Sequence, residues 1–329
     1  MQVSVVIPTV GRDDVLVTTL RQLVLQEGVA FEIVVVDQNT ETLPVLKRFL
    51  EGYSLQVPLI HVRMAEKSAS AARNRGVLAA AGDVVVFLDD DVLIEDRGFL
   101  QAHYRNYFDQ SISVVAGQVL GLDRGTRSHR HLFSHFVDAG WLYFPLAYDA
   151  RSTQPGVGIS ANLSVRRSVA LSLGGMDERF ERGTFREESD FLQRLRKSGR
   201  AGVFDPMASL VHIGHPTGGI RSWGSQKRRP LHHLVGEWYF IFRHMTIASL
   251  PHHMFALLRN QRPQLGTVRD LWEIPVAFFR STAALFLAVR ILACGPLILC
   301  ETSVMEQHRI HLQRDSKKYG VSNANPGNQ

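Results

Sequence analysis

The chain has 329 residues, 45% of them hydrophobic and 21% charged, which gives it enough apolar material for a large core and one or two domains and excludes a disordered chain. Its formal charge of +6 is lopsided, because 14 Lys and Arg against 6 Asp and Glu from Arg221 onward give that segment +8 and leave −2 for the 220 residues before it. Only two cysteines occur, Cys294 and Cys300, which excludes a disulfide framework or a zinc site and suits a reducing cytosol.

Val3 to Ile7 reads as a first strand, stopped at Pro8-Thr9-Val10-Gly11, and Leu16, Leu20, Leu23 and Val24 at helical spacing predict the helix after it. Met1 runs straight into this strand without a basic n-region or a small-residue cleavage site, so no secretory signal is expected. A second strand, Phe31 to Val36, ends on Asp37 and the polar turn Gln38-Asn39-Thr40. Leu43, Leu46, Phe49 and Leu50 mark a helix, Pro58 to Val62 a third strand, and Ser68 to Ala81 an alanine-rich helix.

The fourth strand, from Gly82 to Leu88, is a β-branched run of the kind buried on both faces of a parallel sheet, and it leads directly into Asp89-Asp90-Asp91. Three adjacent carboxylates are costly to ionise together unless a cation or hydrogen-bond donors sit among them. Alternation puts Asp89 and Asp91 on one side, and carboxylate oxygen is the donor that Mg2+ or Mn2+ prefers. The alternative is a solvated acidic turn. Strands alternating with helices imply right-handed crossovers and a parallel sheet whose ligand crevice lies at the strands' carboxyl ends. Thr9, Asp37 and the aspartate triplet all fall at that edge.

Neither a glycine-rich dinucleotide fingerprint nor a Gly-Lys-Ser/Thr phosphate loop follows the first strand. Lys67, Arg73 and the start of the Ser68 helix are positioned to offer positive charge to a diphosphate, although Arg73 and Arg75 read equally as a solvated helix face. After an apolar strand from Ser113 to Leu120, the long stretch from Gly121 to Gly158 holds Trp141, Tyr143, Phe144 and Tyr148, which suit either a sugar-binding wall or local core. Strand character returns up to Val165, and Gly174 to Glu178 is a turn. Thr184-Phe185-Arg186-Glu187 is a capping-box pattern opening a helix with Phe191, Leu192 and Leu195 inward and Gly199 as its stop. Glu187, Glu188 and Asp190 in its first turns either complement the helix dipole or include a general base.

With these residues in view, roughly Gln2 to Gly219 resembles the family 2 glycosyltransferases. Val5-Val6-Ile7-Pro8-Thr9 looks like their opening strand, Val34-Val35-Val36-Asp37 like their base-binding strand, and Ser70-Ala71-Ala72-Arg73-Asn74-Arg75-Gly76 like their Ala-Arg-Asn-x-Gly helix. Leu88-Asp89-Asp90-Asp91 is similar to their DxD signature, and Glu187-Glu188-Ser189-Asp190-Phe191 to their Glu-Asp-x-Asp-Leu helix start, with Glu188 standing where the family has Asp. The resemblance implies a GT-A fold: a Rossmann-like, mostly parallel α/β sheet with helices on both faces. It implies a nucleotide-diphosphate sugar donor bound by Thr9, Asp37, Lys67, Arg73, Asp89 and Asp90, with Asp89 toward the ribose. Asp91 would hold a divalent Mn2+ or Mg2+ ion, joined by His212 or His215, of which His212 is preferred. Asn162 and Glu187 would face the acceptor, a glycan or lipid-linked molecule, and Glu188 would be the catalytic base of an inverting transfer. The reading from another class is a non-catalytic nucleotide-sugar-binding or membrane scaffold, for which the Glu188 substitution speaks.

The expected division is a catalytic domain over residues 1–220, a basic, apolar helical extension over 221–321 and a flexible tail over 322–329. Ile274 to Cys300 is mostly apolar but interrupted by Arg280 and Arg290. An arginine at the centre of a span costs about 2.5–3.5 kcal/mol on insertion scales, which disfavours crossing. Basic residues among aromatics and leucines favour helices lying on an anionic membrane surface, against core packing, oligomer packing or a true span. The expected location is peripheral, at the cytoplasmic face of the cell membrane. No nucleic-acid partner is expected, since the basic residues are mixed with long apolar runs.

Overall fold

The computed structural model describes residues 2–53, 57–125, 146–153, 158–180, 186–215, 218–220, 229–261 and 271–299. The first half alternates as expected: β1 (Val3–Thr9), α1 (Asp13–Leu23), β2 (Phe31–Asp37), α2 (Pro44–Glu51), β3 (Leu59–Arg63), α3 (Ala69–Ala79) and β4 (Val84–Leu88). A two-residue strand β5 (Val92–Leu93), α4 (Phe99–Tyr104), β6 (Ile112–Leu120), β7 (Asn162–Arg166), α5 (Arg167–Ser172), α6 (Glu187–Lys197) and β8 (Ala201–His212) complete the sheet and its covering helices. The strand order is β3-β2-β1-β4-β7-β6-β8-β5. The four strands of the first half pair in parallel, whereas β7 runs antiparallel to both β4 and β6, and β5 antiparallel to β8.

Side chains on successive residues of a strand point to opposite faces, and the apolar run of β4 uses both. Val84, Val86 and Leu88 join one buried cluster with Val3, Val5, Ile7 and the apolar stripe of α1. Val85 and Phe87 join another with Val6, Val34, Val36 and residues of α3 and α6. Two glycines permit the close approach of these layers. A Cβ on Gly76 would lie 2.2 Å from Val6 Cγ1, and one on Gly82 would lie 2.7 Å from the backbone of Val3 and Ser4.

Two local expectations are corrected. α6 starts at Glu187 with Arg186 as its N-cap, in a left-handed conformation (φ 100°) and without a side-chain cap; the capping-box residue Thr184 lies outside the described residues. A non-glycine residue held there is strained, of order 1–3 kcal/mol, and sets the direction in which the chain enters the helix. Tyr148 is fully buried, its ring edge-on to Phe204, and so belongs to local core and not to a sugar-facing wall; Trp141, Tyr143 and Phe144 lie outside the described residues.

The C-terminal region forms α7 (Leu231–His244), α8 (Leu250–Gln261) and α9 (Glu273–Ala293). Leu234, Val235, Tyr239 and Phe240 of α7 meet Ala284 and Ala288 of α9 in a third apolar cluster. Charged groups stitch it to the sheet body. Buried Asp177 accepts hydrogen bonds from Tyr239 Oη (2.8 Å), the Leu297 backbone N–H (2.9 Å) and Arg243, while Asp190 of α6 accepts one from His244 (2.8 Å). By length and composition α9 could cross a membrane, with a mean hydropathy of 1.7. Only a narrow stripe of it packs inward, and Phe278, Phe279 and Phe286 are 65–70% exposed.

Candidate active site

Asp37 stands at the carboxyl end of β2, as expected. Its Oδ1 accepts from the Asn39 backbone (2.9 Å) and side chain (2.8 Å), and its Oδ2 from Thr42 (3.0 Å) and His61 (3.1 Å). Burial works to raise its pKa, but His61 and the other donors outweigh it and hold the carboxylate below its usual range. All four acceptor positions are filled from within the protein, so a base or ribose would have to displace one of these donors.

The triplet splits by side. Asp90 turns inward, where Thr9 Oγ1 donates to it at 2.8 Å and Arg12 Nη1 at 3.2 Å. Burial pushes its pKa up to about 7, against the pull of Arg12 and Thr9. Thr9 and Asp90, expected on the nucleotide sugar, are 1% and 5% exposed and face each other, because a buried carboxylate next to two others needs its own donors. Thr19 of α1 fixes the turn from beneath, donating to the backbone oxygens of Asp90 (2.9 Å) and Val92 (3.1 Å).

Asp89 and Asp91 take the opposite side. The register Val92↔His212 between β5 and β8 carries His212 to them across more than a hundred residues of sequence. His212 Nε2 lies 3.3 Å from Asp91 Oδ1 and 3.5 Å from Asp89 Oδ2, and one ligand atom from each residue lies within 4.8 Å of the others. Asp91 Oδ1 is buried without a hydrogen-bond partner, while Oδ2 accepts from the His215 backbone at 2.9 Å and pairs with Arg12 at 3.0 Å. The close carboxylates of Asp89 first and then Asp91, which favour a protonated ring, raise the pKa of His212 to about 10, against burial. An orphaned carboxylate oxygen facing a second carboxylate and an imidazole is a donor set that fits a hard divalent ion, with further positions left for water and diphosphate oxygens.

The profile described as Glycosyl transferase family 2 matches residues 4–173, more than half of the chain. The chain belongs to that family. Among the relatives of this chain are the pre-mycofactocin glycosyltransferases of two Mycobacterium tuberculosis strains, each 29% identical over 215 residues, 64% of this chain and 42% of theirs. The uncharacterized glycosyltransferase YibD of Escherichia coli K12 is 34% identical over 92 residues, 27% of this chain and 26% of its own. The chain thus spans less than half the length of these curated relatives. Its fold is similar to that of the Pyrobaculum calidifontis mannosyltransferase PcManGT, solved with GDP-Man and Mn2+ (TM-score 0.56, 18% identity, 98% of this chain and 88% of that one). It is also similar to Staphylococcus aureus TarS 1-349 with UDP-GlcNAc (TM-score 0.60, 14% identity, 98% and 93%). At these identities the likeness is one of fold, and the fold is GT-A.

On the other side of the acidic turn, α3 supplies Arg73, only 3% exposed. Its Nη2 donates to Asp89 Oδ1 at 3.1 Å, its Nη1 lies 3.5 Å from Glu187 Oε1, and its Nε and Nη1 make no hydrogen bond. Glu187, expected toward the acceptor, is fully buried against this arginine, since a buried carboxylate needs a counter-charge. Glu188 follows it on the first turn of α6, 9% exposed, with Oε2 buried and without a hydrogen-bond partner. Asn74 clamps the geometry: its Nδ2 donates to Met176 O and Glu178 Oε1 (2.8 Å each), and its Oδ1 accepts from Met176 N at 2.7 Å. Lys67 is exposed just before the α3 N-cap Ser68, whose backbone N–H is held by Gln38 at 2.8 Å.

Asn162 is not brought to this cleft. Both hydrogens of its amide are taken by Gln118 O and Ala208 O (2.8 Å each), and its Oδ1 is paired with buried His103, so it braces the sheet interior. Arg12 and His61 were missed by sequence reasoning. Arg12 follows Gly11 directly at the sheet's carboxyl edge, which was its one signal; His61 sits mid-strand in β3 and carries none.

Proposed function

We propose that this transferase moves a sugar from a nucleoside-diphosphate sugar to an acceptor hydroxyl in one displacement, with inversion at the anomeric carbon and with a divalent ion held by Asp89, Asp91 and His212. The observation that supports the reading is the row of contacts Asp91–His212–Asp89–Arg73–Glu187, in which a carboxylate pair suited to a divalent ion lies beside a buried arginine, with Glu188 the next residue along α6. A divalent ion there would neutralise the charge growing on the departing diphosphate. Arg73, with two guanidinium nitrogens lacking hydrogen bonds, is suited to receive diphosphate oxygens on the same side. Glu188 takes the proton of the acceptor hydroxyl as its oxygen bonds to the anomeric carbon and the bond to the diphosphate breaks. Glu187 is engaged with Arg73, which leaves Glu188 as the base and argues for a single displacement.

The proposed acceptor is a glycan or lipid-linked molecule, and the proposed location is peripheral, on the cytoplasmic face of an anionic membrane; the exposed phenylalanines of α9 support both. The test is a thermal-shift panel of nucleotide sugars, starting from GDP-mannose and UDP-GlcNAc, with and without Mn2+ or Mg2+, followed by transfer and donor-hydrolysis assays. Metal-dependent stabilisation by one donor, with turnover abolished in Asp91→Asn, is expected. Undiminished turnover in Asp91→Asn or under chelation would remove the ion from the mechanism.

A further inference from the structure

Where α7 and α9 part beside the turn at 174–180, a cavity of about 520 Å³ opens, within the size range of small-ligand sites. Its apolar wall comes from two helical stripes, Leu231, Val235 and Tyr239 on α7 and Leu287 and Ile291 on α9, with Gly236 adding no side chain between them. The imidazole of His232 and two guanidinium groups add its polar part. Arg179 spends its Nε on Gly295 O at 3.2 Å, and exposed Arg290 makes no hydrogen bond or ion pair among the described residues. Among the described residues no carboxylate lines the cavity. The nearby Asp177 is already committed to Tyr239, Arg243 and the backbone of Arg179 and Leu297.

A largely apolar cavity whose described lining holds two arginines and a histidine but no acid is complementary to a molecule with one anionic end and a hydrocarbon body. A guanidinium matches phosphate oxygens in a way no neutral head can, and the paired helix stripes offer an apolar lining that inorganic phosphate would not use. We propose that this cavity seats a single-chain lipid phosphate, its head on Arg179 and Arg290 and its chain between the α7 and α9 stripes. The site is separate from the sugar-transfer chemistry. It rests on the membrane-surface part of the proposed function only for the origin of the lipid.

Cys294 lines the cavity, is exposed and unoxidised, and so serves as a reporter. In the full-length Cys300→Ser protein it is the one thiol, and its alkylation by a maleimide can be timed in solution without vesicles or donor. Dodecyl phosphate below its micelle concentration is expected to slow alkylation saturably, at least tenfold. Octyl phosphate should act at higher concentration, because each buried methylene is worth roughly fourfold in affinity. Inorganic phosphate and dodecyl maltoside should change the rate less than twofold. Arg179→Gln and Arg290→Gln should each weaken protection at least fivefold, and Leu287→Trp, which fills the apolar part from a partly exposed position, should remove it without lowering Tm. Equal protection by dodecyl maltoside, protection by inorganic phosphate alone, or full protection in both arginine variants would overturn the proposal. Sugar transfer can fail or succeed without touching any of these outcomes.

Discussion

Glu187 and Glu188 are neighbours of identical chemistry, and the structure gives them opposite consequences on neutralisation. Glu188→Gln keeps the shape of a side chain whose Oε2 has no hydrogen-bond partner among the described residues, so no bond to that oxygen is lost there and stability should change by less than about 1 kcal/mol. As the general base its loss should lower kcat by about 10²–10⁴, or roughly 3–5 kcal/mol of barrier, with donor affinity unchanged. Glu187→Gln removes the fully buried one of the two carboxylates beside Arg73, which is 3% exposed and 3.5 Å away, and leaves only the half-buried Asp89 at 3.1 Å. Breaking one side of a buried pair costs about 3–5 kcal/mol when the other charge is left alone; with Asp89 still paired to Arg73 the loss should fall toward the lower end, about 2–3 kcal/mol, which lowers Tm by roughly 4–10 °C. Initial-rate kinetics over a range of donor concentrations, paired with thermal unfolding of both variants, read the two effects separately. Wild-type kcat in Glu188→Gln, or an exchange of the two phenotypes, would refute the assignment of base and counter-ion.

Acid sensitivity should trace in part to His103, buried between Ser164 Oγ (2.9 Å) and Asn162 Oδ1 (2.8 Å), where burial pulls its pKa down to about 4. The unfolded chain binds that proton near pH 6.5 and the folded one only near 4. The contribution is therefore complete above 6.5 and falls by about 1.4 kcal/mol per unit as pH drops through that window. His103→Gln should flatten the pH dependence of the urea midpoint between 6.5 and 4; an unchanged slope would count against it. Replacing Phe278, Phe279 and Phe286 together with Gln should lower binding to anionic vesicles in a flotation assay by at least a hundredfold and leave Tm within about 2 °C, since these rings are largely exposed. Flotation equal to that of the unaltered protein would displace the membrane contact from α9.

The parallel half of the sheet was legible because its strands declare themselves locally. β4 is a continuous apolar run, and β1 and β2 are apolar but for Ser4 and Glu32, each ended by a polar or turn-forming residue, while the helices between them carry leucines or alanines at helical spacing. The same logic placed Thr9, Asp37 and Asp89 to Asp91 on one edge, since strand ends are readable from where apolar runs stop. The long strand β8 escaped, because Asp205, Pro206 and Ser209 interrupt its apolar pattern and its register against β6 shifts twice.

What the amino-acid order determined by itself was therefore the elements and the edge on which the acids lie, both being consequences of local periodicity and turn chemistry. The pairing of those acids belonged to the tertiary structure. Asp90 turns to Thr9 while Asp91 turns to His212 because β5 docks on β8, and Arg12 bridges the two acids. Glu187 meets Arg73 because α6 packs over α3, and Asn162 is spent on the interior because His103 of α4 lies beneath it. Each of these depends on which distant segment supplies the counter-charge or the missing hydrogen bond once water is excluded, and no stretch of sequence carries that information until the layers close.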